Sequence, residues 1–131
     1  MCDSPGRFSP LNLAFLGDAV FAVLVRERLL LEANRPVGEL HRENTKRVNA
    51  REQARMAENL FPQLTPEEAA ILRRGRNAKP SHVPAGCSRE EYARATALEA
   101  LFGWLWLSGR FERARKLFEM MQCAEGPRSR T

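Results

Sequence analysis

At 131 residues with 44% hydrophobic composition, the chain is one domain with enough apolar content for a real core, which excludes both a two-domain and a disordered protein. Its 21 Lys and Arg against 16 Asp and Glu leave a formal net charge of +5, which favours a polyanionic partner through counterion release without identifying one. The longest run free of charge and strong polarity, Ala100–Leu107, is too short for a membrane span of about 20 residues, and residues 1–10 show no secretory leader. Cys2, Cys87 and Cys123 fit neither a disulfide framework nor a zinc spacing, so plain thiols in a reducing cytoplasm are expected.

Residues 1–8 read as an N-terminal tail. Ser9-Pro10 is an N-cap followed by proline at the first helical position, where its missing N–H costs nothing. The helix it opens, to about Leu31, is apolar nearly all round until Arg26 and is expected to be central. Asn34-Arg35-Pro36 breaks the chain, and a second helix runs from Val37 to Val48. A new cap near Asn49 starts a third piece to Leu60, with Ala54, Ala57 and Leu60 on one face. A step of four predicts a stripe of Arg47, Arg51 and Arg55 on another.

Thr65-Pro66-Glu67-Glu68 and Ser88-Arg89-Glu90-Glu91 both match the capping box, predicting helices over Pro66–Arg76 and Arg89–Leu107. Gly109 suits a left-handed cap, and a last amphipathic helix covers Phe111–Gln122. Residues 9–123 form the predicted domain, and 124–131 a frayed tail. No period-two run argues for a strand, so the predicted fold is all-α.

The anomaly lies in the two most apolar helices. Asp18 is the only charged residue from Leu11 to Val25, and Glu99 the only one from Ala95 to Leu107. A carboxylate in such surroundings needs a partner, a proton or a metal. Neither helix offers a cation one turn away: Arg94 lies five residues before Glu99, and Arg26 two turns after Asp18. In one reading each acid reaches solvent at a helix edge or pairs with a distant arginine. In the other, the helices pack across Gly17 and Gly103, the acids meet, and a bound Mg²⁺ relieves their repulsion.

Leu13-Ala14-Phe15-Leu16-Gly17-Asp18-Ala19-Val20 resembles the signature of the ribonuclease III catalytic domain, usually Leu-Glu-Phe-Leu-Gly-Asp-Ala-Val. Thr96-Ala97-Leu98-Glu99-Ala100-Leu101-Phe102-Gly103 resembles its second motif, Asp-x-x-Glu-Ala-hydrophobic. Ala14 and Thr96 stand where the family has a glutamate and an aspartate. These departures, the Arg73-Arg74-Gly75-Arg76-Asn77-Ala78-Lys79 segment and the lack of a double-stranded RNA-binding domain resemble the Mini-ribonuclease III branch. The resemblance covers about Leu11 to Met121.

It implies a ribonuclease III-like helical bundle, a homodimer that cleaves double-stranded RNA with Mg²⁺ or, in its place, Mn²⁺. It further implies maturation of the large-subunit (23S) ribosomal RNA precursor as the role. Asp18 and Glu99 match the retained catalytic, metal-binding carboxylates, which implies one well-held Mg²⁺ per site and a second recruited by substrate phosphate.

RNA contact is assigned to a basic loop from Arg73 to Arg89, through Arg73, Arg74, Arg76, Asn77, Lys79 and His82, since A-form RNA is read through phosphates, 2′-hydroxyls and a wide minor groove. His41 is expected to be structural or solvent-facing. Trp104 and Trp106 suit core or interface packing, and the single tyrosine, Tyr92, offers no stacking platform. The rivals are a catalytically silent double-stranded RNA-binding or ribosome-associated module on the same fold, and a helical interaction or DNA-binding domain.

Overall fold

The computed structural model describes residues 4–79 and 82–129, with the backbone alone beyond Gln122. Cys2 and the Cys123 side chain lie outside the described residues; Cys87 is a free, half-buried thiol. Six helices make the fold, and no strand occurs among the described residues: α1 (Pro10–Glu32), α2 (Val37–Val48), α3 (Ala50–Leu60), α4 (Pro66–Asn77), α5 (Arg89–Leu107) and α6 (Phe111–Ser129).

Short-range chemistry sets the helix starts. Ser9 accepts from the Asn12 N–H and Asn49 from the Glu52 N–H, while Thr65 with Glu68 and Ser88 with Glu91 close two complete capping boxes. Gly109, at φ 76°, provides the left-handed residue after α5, and Arg110 N–H reaches back to the Leu105 carbonyl at 2.8 Å. α6 continues to Ser129, past the predicted stop at Gln122. The segment expected as an N-terminal tail carries a 3₁₀ turn, Pro5–Arg7, and Phe8 packs on the core.

The central helix is α5, not α1. From Ala95 to Leu105 every residue of α5 except Glu99 is buried, and α1, α3, α4 and α6 pack around it. Phe21 makes edge-to-face contacts with Phe102 at 5.9 Å and Phe118 at 5.7 Å, which joins α1, α5 and α6 in one core. Trp104 is buried and carries the Arg110 guanidinium 4.7 Å from its ring, while Trp106 lies against Phe111. Although α1 is apolar nearly all round until Arg26, one side stays uncovered: Phe15 is 85% exposed, Leu30 58% and Val23 54%. Six helices of this length offer too few neighbours to cover both sides of α1 as well as all of α5.

α1 and α5 cross at Gly17 and Gly103. A Cβ on Gly17 would overlap the Glu99 carbonyl, and one on Gly103 the Leu13 carbonyl. Only residues without side chains allow backbones this near. On the other side of α5, a Cβ at Gly75 would lie 2.8 Å from the Ala97 Cα. Away from the crossing, buried Glu68 combines its capping role with a bidentate pair to Arg113, at 2.7 and 2.8 Å. Burial opposes its ionisation, yet Arg113 and Thr65 outweigh that and hold the carboxyl below its ordinary range.

Candidate active site

The α1–α5 crossing places Asp18, one residue after Gly17, beside Glu99. An open cleft of about 650 Å³ lies over the pair, lined also by Ala14, Phe15, Thr96, Tyr92 and His82. The two acids differ in setting. Asp18 is exposed at the edge of α1, whereas Glu99 is half-buried on α5. Only Glu99 therefore has the desolvated environment that the apolar runs suggested for both.

Burial, then a hydrogen bond to Asp18 and the charge of Asp18, push the Glu99 carboxyl up to about 8. A buried amide opposes this shift: Gln53 Nε2 donates to Glu99 Oε2 at 3.4 Å. Burial and the neighbouring Asp18 thus favour the protonated form of Glu99 near neutrality.

A pH dependence of stability follows. Because the folded value lies above the usual 4.5, the folded chain binds a proton between those limits that the unfolded chain releases. The stability from this proton is complete below pH 4.5 and is lost as pH rises through about 8. Thermal melts in EDTA should show the midpoint falling by several degrees from pH 5.5 to pH 8.5. Glu99→Gln, which cannot titrate, should flatten that slope; an unchanged slope would mean that other groups produce it.

The positions where the family carries its other acids hold small, neutral, buried side chains at the cleft wall. Ala14 is 7% exposed and Thr96 5%, and the Thr96 hydroxyl donates back to the Tyr92 carbonyl at 2.8 Å. Among the described residues no group of three or more His, Cys, Asp or Glu has a metal-holding arrangement. What remains is a two-carboxylate, oxygen-only donor set beside open space. Two like charges and hard oxygen donors fit a Mg²⁺ ion that keeps several of its waters.

The other expected site residues separate. Only His82 joins Asp18 and Glu99 in the cleft. Arg73, Arg74, Arg76 and Asn77 form the end of α4 rather than a loop, because Gly75 is a packing residue against Ala97 and not a turn. Arg73 and Arg76 line a second hollow with Phe61 and Arg94, where Arg76 pairs with Glu90 at 3.1 Å. Arg94 and Ala97 reach that hollow from the side of α5 opposite Tyr92, Thr96 and Glu99, as 100° per residue requires. Arg74 donates to the Gly6 and Phe8 carbonyls at 2.9 and 3.3 Å, which docks the N-terminal turn. Lys79 is exposed beyond the helix end.

The arginine stripe also breaks. Arg47 belongs to α2 and pairs with Glu32 at 2.9 Å; Arg51 and Arg55, on α3, pair with Glu91 and Glu52. The kink at Asn49 divides the row. His41 is exposed on α2, beside a shallow groove against α1.

Sequence reasoning overlooked Gln53 and gave Tyr92 no place in the site. Gln53 was readable in principle, since it falls in phase with Met56, Ala57 and Leu60, where an apolar residue is expected.

The all-α bundle carries its paired acids at a glycine crossing, and the ribonuclease III domain family matches residues 11–110. The chain belongs to the ribonuclease III family. It is 44% identical over 121 residues to a Mini-ribonuclease 3 of Symbiobacterium thermophilum, covering 92% of this chain and 91% of that one. To the Mini-ribonuclease 3 of a Thermoanaerobacter species it is 43% identical, covering 86% and 79% respectively. A crystal structure of a Fusobacterium nucleatum protein superposes with a TM-score of 0.82 at 30% identity, over 95% of this chain and 99% of that one.

Proposed function

We propose that the protein is a Mg²⁺-dependent endoribonuclease that hydrolyses phosphodiester bonds of double-stranded RNA. The reading rests on one observation: Asp18 and Glu99 line the same open cleft side by side and offer it hard oxygen donors. Family membership supports the activity, and the resemblance to Mini-ribonuclease 3 supports the large-subunit ribosomal RNA precursor as substrate.

When bound, the cation supplies an activated water and neutralises charge on the scissile phosphate. Asp18 and Glu99 would hold it, Glu99 in its ionised form. Affinity for the cation therefore rises with pH toward 8. His82, which lines the cleft wall, would contact phosphate in this reading. Arg73, Arg76, Asn77 and Lys79 serve RNA backbone away from the cut, and Arg74 supports them by anchoring the turn at Gly6 and Phe8.

The test is a long RNA duplex incubated with Mg²⁺, beside EDTA and duplex-DNA controls. Cleavage confined to RNA with metal supports the assignment; binding without cleavage across divalent metals would make the protein a silent RNA-binding module. A precursor with its terminal stem intact, cut at discrete sites in preference to arbitrary duplex, would support the ribosomal role.

A homodimer completes this reading. Phe15, Val23 and Leu30 fall along one side of α1 and leave apolar surface in water, with the exposed Arg26 among them. A second copy of the chain, offering the same surface, would cover it. In sedimentation the protein should run at twice its 14.9 kDa, and Val23→Asp should give a folded monomer. A Val23→Asp protein that remains dimeric would place the interface elsewhere.

A further inference from the structure

We propose that Gln53 is a positioning residue for this site: its side-chain amide holds one oxygen of Glu99, leaving the other, with Asp18, turned toward a divalent cation. The inference rests on the assignment of a cation to Asp18 and Glu99. It explains why a polar residue occupies the buried face of α3. Gln53 is 3% exposed, in phase with Met56, Ala57 and Leu60, and an apolar side chain of equal length would fill that volume without desolvating an amide. Its Nε2 donates to Glu99 Oε2 at 3.4 Å.

The residue type is informative. An acid here would add a third negative charge to the Asp18–Glu99 pair. A lysine or arginine would neutralise Glu99 and compete with the cation. An apolar residue would leave the Glu99 carboxyl free to close onto Asp18. A neutral donor orients a carboxylate without cancelling its charge, which is how partners behind a ligand tune metal sites.

The donor also stands on a fixed support. Asn49 caps α3, and Ala54, Met56, Ala57 and Leu60 bury the helix in the core. At 3.4 Å the bond is long for N–H···O, as suits a carboxyl that Asp18 also engages. An ionised Glu99 would strengthen it, since charge-assisted bonds are shorter.

The experiment uses the full chain, with Mn²⁺ alone as the probe, followed by the loss of its free paramagnetic signal. Gln53→Met keeps the side chain's length and removes the donor. Its helicity and melting midpoint should match or exceed those of the unmodified protein, while Mn²⁺ binds about 10–100-fold more weakly. KM for duplex RNA should stay constant and kcat at low metal should fall. In a Glu99→Gln background the same substitution should have no further effect on Mn²⁺.

A second readout needs no variant at position 53. In ¹H–¹⁵N spectra the Gln53 side-chain amide pair should shift when Mg²⁺ is added to the unmodified protein, and should not in Asp18→Asn. Tight Mn²⁺ binding by a folded Gln53→Met protein, or a Gln53 signal indifferent to Mg²⁺, would overturn the role of Gln53 alone. Failure of the unmodified protein to bind Mn²⁺ would overturn the cation assignment, and this inference with it.

Discussion

Asp18→Asn and Glu99→Gln should each reduce cleavage of duplex RNA by more than about 100-fold, the upper end of losses seen when only supporting partners of a ligand are removed. Both substitutions keep volume and delete charge, so they separate chemistry from folding. With Ala14 and Thr96 in place of acids, no third acid lines the cleft to take over when either is lost. Asp18→Asn should leave the melting midpoint almost unchanged, because that side chain is exposed. Glu99→Gln should melt higher than the unmodified protein above pH 8, since a half-buried amide avoids the penalty of a half-buried carboxylate. Cleavage gels read beside thermal melts of the same preparations decide the matter. Retained activity in a folded Asp18→Asn protein would remove the metal site from these acids.

Gly17→Ala and Gly103→Ala should each destabilise the fold by about 3 kcal/mol or more, the upper range for overpacking a core. The clash is with main-chain carbonyls, Glu99 in one case and Leu13 in the other, and these cannot rotate aside as a side chain does. Relief requires α1 and α5 to separate along the largest contact in the molecule. It would also part Asp18 from Glu99, so Mn²⁺ binding should fall in whatever fraction remains folded. Gly38→Ala is the control. Gly38 is exposed on α2 with only the Arg42 guanidinium nearby, at 3.6 Å, and the change should stabilise by about 0.5–1 kcal/mol. Urea titrations of the three variants provide the comparison. A Gly17→Ala protein as stable as the unmodified one would mean that the crossing can loosen without loss.

Much of the secondary structure was legible because its causes are local. Ser9, Asn49, Thr65 and Ser88 each bond to a backbone N–H three residues on, and Gly109 turns the chain within two residues. Asp18 and Glu99 were legible for a different reason. A carboxylate in an otherwise uncharged run conflicts with its surroundings, and that conflict is visible without coordinates. The end of α4 was read to within one residue, but assigning Arg73, Arg74 and Arg76 also to a projecting loop conflicted with it. Gly75 sits inside the helix, where its small size serves contact with Ala97, a neighbour 22 positions away in the chain.

The sequence by itself determined that this is an all-α chain, where its helices begin, and which two acids are out of place. These depend on interactions within one or two turns, or on contrast with adjacent residues. Only the tertiary structure decided that α5 is central while one side of α1 stays bare, that Glu99 and not Asp18 is the desolvated acid, and that Gln53 stands behind it. The same holds for Arg74, spent on docking the N-terminal turn, and Arg113, spent on Glu68. Each is set by which helix faces which across the core, and the periodicity of a single helix carries no record of its neighbour.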